Sequence, residues 1–148
     1  MNVLIAVCGA ISLVLIVFSM KRRRQNRELE SHSITPEALH TLMKANHEVL
    51  VFDVRRPLDL LIDLESIPGS TRIPPTEFLE NHSLIPKDKE TVFYCTCPGD
   101  ETARRIVHQA LRMGFSGVKL LKGGLPAWKG KGYSVVKYGT PFHLDTRT

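Results

Sequence analysis

Cysteine is scarce in this chain, and the three it has are placed so that they cannot brace a fold. Cys8 lies in a long apolar stretch, and Cys95 and Cys97 are separated by a single residue. A disulfide framework is excluded, and a reducing compartment fits the count. The six histidines, His32, His40, His47, His82, His108 and His143, are scattered, and none stands at a familiar ligand spacing from Cys95 and Cys97. No metal site and no cofactor is called for. An excess of basic charge over the body of the chain is also missing. The formal net charge is +5, from 20 Lys+Arg against 15 Asp+Glu, but Lys21, Arg22, Arg23, Arg24 and Arg27 supply five positive charges before any acid occurs. The remainder is balanced, so no nucleic-acid partner is expected.

Charge of either sign is absent from Met1 to Met20, a run dominated by Leu, Ile, Val, Ala and Phe and closed by Lys21-Arg22-Arg23-Arg24. At about 1.5 Å per residue such a helix spans about 30 Å, the hydrocarbon thickness of a bilayer. The basic cluster follows the apolar run, the reverse of the order in a cleavable signal peptide. The expectation is an uncleaved anchor over residues 1–20 with Cys8 facing lipid or helix. A basic juxtamembrane linker or helical stalk over 21–33 would follow, its charges suited to anionic headgroups. The positive-inside bias would place everything after it in the cytoplasm. The chain is thus expected to be a single-pass protein of a bacterial inner membrane.

The rest is long enough for one core. Thr35-Pro36-Glu37-Ala38 opens a helix, with Thr35 as N-cap and a buried stripe of Ala38, Leu39, Leu42 and Met43. Val49 to Val54 is a continuous apolar run ending around Asp53, as expected of a strand covered on both faces. A helix over Leu58 to Leu64, a turn at Ile67-Pro68-Gly69-Ser70, a short strand over Ser70 to Ile73 and a helix capped by Thr76 follow. Thr91 to Cys95 reads as the next buried strand. Ala103, Ile106, Val107, Ala110 and Leu111 then mark an amphipathic helix, with Gly114 at its C-cap. Val118 to Leu121 is the last strand, and Gly123-Gly124-Leu125-Pro126-Ala127-Trp128 leads into a final helix. Alternating strands and helices imply an open, mainly parallel α/β sheet with helices on both faces, its site beyond the carboxyl ends of the strands. Asp53, Cys95 and the glycines after Leu121 fall there. A thiol at Cys95 would face backbone N–H groups and the positive end of a helix dipole, a setting for a nucleophile.

Five segments in this order resemble a single rhodanese domain. They are Ile34-Thr35-Pro36-Glu37, Val51-Phe52-Asp53-Val54-Arg55, Ile67-Pro68-Gly69-Ser70, Phe93-Tyr94-Cys95 and Leu121-Lys122-Gly123-Gly124-Leu125-Pro126-Ala127-Trp128. The resemblance places a rhodanese-like domain at 34–138 and a C-terminal tail at 139–148. It implies a sulfurtransferase in which Cys95 carries a persulfide sulfur from a small-molecule donor such as thiosulfate to a thiol or cyanide. It makes Asp53 and Arg55 a structural pair beside the site, and Gly123, Gly124 and Trp128 architecture. Gly99 and Thr102 would bind the anion through the loop, and Cys97 would either resolve or relay the sulfur or simply pack the loop as a small residue. The loop departs from the common pattern: Thr96-Cys97-Pro98-Gly99-Asp100-Glu101-Thr102-Ala103 has no arginine and two acids, with Asp100 and Glu101 suited to the helix start. It is one residue longer than the usual sulfurtransferase loop, and Glu101 stands where a Cys-x5-Arg phosphatase or arsenate reductase would need its arginine. Efficient use of thiosulfate is therefore in question. The alternative is a non-catalytic rhodanese-like module that positions a protein partner at the membrane.

Overall fold

The computed structural model describes residues 2–45, 48–81, 83 and 85–138, with the side chains of 2–6 and 10 excluded. The C-terminal tail expected at 139–148 lies outside the described residues. Two compact units are present, 1–31 and 32–148. The first is one helix, α1 (Asn2–Ser31). The expected boundary after residue 20 is not a break in structure: Lys, Arg, Gln and Glu are good helix formers, and the helix continues through them to Ser31. Val7, Ile11, Leu13 to Phe18 and Met20 expose their side chains, and Cys8 is exposed with them. Among the described residues no helix is long and apolar enough to cross a membrane. The run whose side chains are described begins at Val7 and would rise only about 21 Å before Lys21. The anchor expected at 1–20 thus lies partly outside the described side chains.

The second unit is an α/β domain. Its chain order is β1 (Ser33–Ile34), α2 (Pro36–Lys44), β2 (Leu50–Asp53), α3 (Pro57–Ile62), β3 (Glu65–Ser66), β4 (Thr71–Arg72), α4 (Pro75–Glu80), β5 (Thr91–Tyr94), α5 (Glu101–Arg112), β6 (Val118–Leu121), α6 (Gly124–Gly130) and β7 (Val136–Lys137). Five strands form a parallel sheet in the order β1-β6-β5-β2-β4, while β3 and β7 pair antiparallel as a separate ribbon. The central strands β5 and β2 run in register, Asp53 opposite Tyr94, so the chain leaves both at the same sheet edge.

Burial explains the apolar runs. Val92, Phe93 and Tyr94 are fully buried, with Phe93 packed on Phe52 and Phe78 in one layer. Val92 and Tyr94 join Leu39, Val51, Ile67, Leu121, Leu125 and Trp128 in another. Thr35 caps α2 as expected, its hydroxyl accepting from the Ala38 N–H at 3.3 Å. Ala38 itself is exposed, and Pro36 takes its place in the buried face. Thr76 does not cap α4, which begins one residue earlier at Pro75 with Pro74 in the N-cap position, because proline's fixed φ already suits a first turn. At the end of α5, Gly114 adopts φ 84° and Phe115 N–H returns to the Ala110 carbonyl, the left-handed stop its position suggests.

Candidate active site

Cys95 is the first residue beyond β5, and the loop that follows turns through a 3-10 segment, Pro98–Asp100, into α5. Gly99 makes that turn with φ 66°, a conformation that a Cβ would penalise. Asp100 follows it into the left-handed region at φ 56°. Its carboxylate does not cap α5. It accepts the Gly123 N–H at 2.7 Å and so ties the loop to the start of α6. Burial pushes the Asp100 carboxyl above the usual carboxylate range, opposed by that N–H and by the charge of Arg104. Glu101 begins α5, where an acid complements the helix dipole.

A second tie explains Gly124. Leu125 N–H donates to the Cys95 carbonyl at 3.0 Å, and a Cβ on Gly124 would sit 2.1 Å from the same oxygen. Backbone lies directly against backbone there, beneath the cysteine, and φ 53° adds a second reason for glycine. Gly123 and Gly124 are therefore part of what holds the loop as well as of the α6 turn.

The two thiols meet. Cys95 Sγ and Cys97 Sγ are 2.9 Å apart and hydrogen-bonded, and they occupy different environments. Cys95 is fully buried, whereas Cys97 is partly exposed. Cys97 Sγ accepts the Thr102 N–H at 3.3 Å in the first turn of α5, and the Thr102 hydroxyl lies 3.5 Å away. Burial pushes the Cys95 thiol up to about 12, reinforced by its bond to Cys97 and opposed by the N–H groups of Ala103 and Cys97. Cys97 moves the other way. Burial raises its pKa, but the Cys95 bond, the Thr102 hydroxyl and the Thr102 N–H together hold it below the ordinary thiol value. The two shifts run in opposite senses because Cys95 is the more deeply buried of the pair. The setting expected of a nucleophile at Cys95 thus extends to Cys97: Cys95 is fully buried, and the Thr102 N–H in the first turn of α5 points at the partly exposed Cys97 Sγ.

Asp53 and Arg55 form the buried pair expected beside the site. Arg55 is 0% and Asp53 1% exposed, and Arg55 Nε donates to both Asp53 oxygens at 2.9 Å. The remaining guanidinium donors reach the carbonyls of Asp63 at 2.7 Å and Glu65 at 2.8 Å. Burial alone would lower the Arg55 pKa, and the Asp53 carboxylate more than offsets it. Tyr94 completes the cluster, donating to Asp53 Oδ2 at 3.2 Å while its oxygen accepts the Ile67 N–H and meets Ser70 Oγ at 3.0 Å. Every polar atom here has a partner within the fold, as befits a structural clamp between β2, β5 and the turn after β3.

Arg56 was not singled out in the sequence. It caps α3 with an exposed side chain paired to Asp59 at 3.1 Å, and it lies within electrostatic reach of Cys97 and Glu101. The loop after β2 thereby carries an Asp59-paired cation whose field reaches the loop after β5. Only the register of the two strands shows this. Leu58, Leu61, Ile62 and Leu64, on and just after α3, are exposed. Among the described residues no group of three or more His, Cys, Asp or Glu is arranged to hold a metal ion.

A cysteine loop at the carboxyl end of a central parallel strand, leading into a helix and tied from beneath by the next helix, defines the class of α/β domain to which this site belongs. The family is specific: the model of the rhodanese-like domain matches residues 35–131, and the chain belongs to that family. A sulfurtransferase of Allochromatium vinosum is 28% identical over 105 residues, covering 71% of this chain and 94% of that protein. An uncharacterized protein of Synechocystis is 32% identical over 109 residues, and the match spans 71% of this chain but only 56% of that protein's length. The crystal structure of a rhodanese-related protein from Thermoplasma volcanium is 30% identical, with a TM-score of 0.58 over 71% of this chain and 97% of that one.

Proposed function

We propose that the protein is a sulfurtransferase that carries a persulfide sulfur on the cysteine pair of the β5–α5 loop, from an anionic sulfane-sulfur donor to a thiol or cyanide. The observation that carries this is the pair itself: two sulfurs 2.9 Å apart, one buried, the other partly exposed and accepting the Thr102 N–H at the start of α5. A thiolate so placed is a nucleophile, and the N–H of Thr102 suits an anionic persulfide. The name of the Allochromatium relative agrees in kind. Thiosulfate is one donor of the right charge. The acids that made the loop look unfavourable are accounted for, since Asp100 is turned to Gly123 and Glu101 starts a helix.

We place the protein at a membrane through residues 1–20, with the domain on the cytoplasmic side. The uncharged run, the basic cluster behind it and the exposed side chains of Val7, Ile11, Leu13 to Phe18 and Met20 support this. Retention of the full chain in alkali-washed membranes, and its loss on deletion of residues 2–20, would be the expected result. The competing reading, a binding module without turnover, is favoured by the exposed Leu58, Leu61, Ile62 and Leu64, which suit a protein partner.

Turnover separates the two. Thiocyanate release from thiosulfate or a low-molecular-weight persulfide and cyanide is expected from the wild-type chain and absent from the Cys95→Ser/Cys97→Ser double variant. Release that is equal in both, or undetectable in the wild type with every donor, would leave the binding module.

A further inference from the structure

The loop holds two cysteines, and their surroundings differ enough to give them different tasks. Cys95 is fully buried. Cys97 is partly exposed, and the N–H at 3.3 Å from its sulfur comes from the second residue of a 12-residue helix. Its other close neighbour, at 2.9 Å, is the Cys95 sulfur. Arg56 supplies positive charge from the adjacent loop, where the Cys97-bearing loop has none of its own.

We propose that Cys97, two residues beyond the strand-end cysteine, is the thiolate through which sulfur enters, and that Cys95 is the buried S–H donor that holds it ionised. This rests on the sulfurtransferase reading. Cys97 thiolate attacks the outer sulfur of thiosulfate. A Cys97 S–S bond forms as the donor's S–S bond breaks, and sulfite leaves with the bonding electron pair. The persulfide keeps the single negative charge the thiolate brought, sulfite keeps the two that thiosulfate brought, and no oxidant or reductant is consumed. The Cys95 S–H, a bond already made in the resting pair, remains on the sulfur it faces, and Arg56 draws the anionic donor toward the loop. The strand-end position, which the resemblance alone would make the carrier, is thereby a positioning residue.

Intact-mass measurement of the full chain in detergent, treated with thiosulfate or a low-molecular-weight persulfide, tests this with Cys97→Ser and Cys95→Ala variants. Circular dichroism checks that each is folded. The expected result is one cyanide-removable sulfur on the wild type and on Cys95→Ala, and none on Cys97→Ser. The pH midpoint of loading should rise in Cys95→Ala, because the S–H donor is gone, an effect that a packing role for Cys95 would not produce. Loading of Cys97→Ser, or failure of folded Cys95→Ala to load, would overturn the assignment while leaving sulfur transfer intact. No loading of the wild type by either donor would overturn the proposed function as well.

Discussion

Replacing Arg55 by methionine removes a guanidinium that is 0% exposed and leaves the Asp53 carboxylate, 1% exposed, without its counter-charge. The carbonyls of Asp63 and Glu65 lose their donors in the same step. Breaking a buried pair from one side costs about 3–5 kcal/mol, because the surviving charge stays desolvated. Tyr94 still donates to Asp53, which keeps the cost within that range. At this domain size about 4 °C is lost per kcal/mol, so thermal unfolding followed by circular dichroism should shift down by about 12–20 °C. Pairing the change with Asp53→Leu should recover part of the loss, since the uncompensated carboxylate is then gone. Sulfur loading per folded molecule should be unchanged, because neither group touches either cysteine sulfur. A shift below about 4 °C, or loss of loading in a protein that remains folded, would refute the reading of this pair as a structural clamp.

Three further outcomes are expected. Gly124→Ala drives a Cβ to 2.1 Å from the Cys95 carbonyl at positive φ, so the loop must move; a loss of about 2–5 kcal/mol in urea unfolding is expected, with weaker sulfur loading even where the chain folds. Alkylation of the wild type by iodoacetamide should rise with pH through a midpoint below that of an ordinary thiol: Cys97's folded pKa is lowered, so its thiolate is present above that midpoint and lost below it. Peptide mapping, which separates Cys97 from the exposed Cys8, should assign that midpoint to Cys97, and a Cys97 midpoint at or above the ordinary thiol value would count against the pair's geometry. Arg56→Gln should raise KM for thiosulfate by about two- to fivefold with kcat unchanged, the scale of an exposed charge interaction. The effect should fade in high salt.

The central sheet was legible because its strands are buried on both faces, and buried strands write themselves as unbroken apolar runs: Val51-Phe52, Val92-Phe93-Tyr94 and Leu120-Leu121 are all in the core. The α5 helix was legible from its period, and Thr35 from its place before Pro36. The two-residue strands β1, β3 and β7 left no such trace, since two residues have no period and their partners lie 70 or more positions away in the chain. The site divides in the same way. Asp53, Arg55, Cys95 and Cys97 are chemically conspicuous residue types near strand ends. The burial that separates the two thiols, the Asp100 tie to Gly123 and the approach of Arg56 depend on which strands are neighbours. Tyr94 read as one more apolar strand residue, and its hydroxyl proved to be the hinge of the buried polar cluster.

The most direct test of the account is a crystal structure of the protein after reaction with thiosulfate or a low-molecular-weight persulfide. The account predicts one added sulfur about 2 Å beyond Cys97 Sγ, within reach of the Thr102 N–H. Added density on Cys95 instead, or on neither sulfur in crystals of protein shown by mass to have reacted, would contradict it.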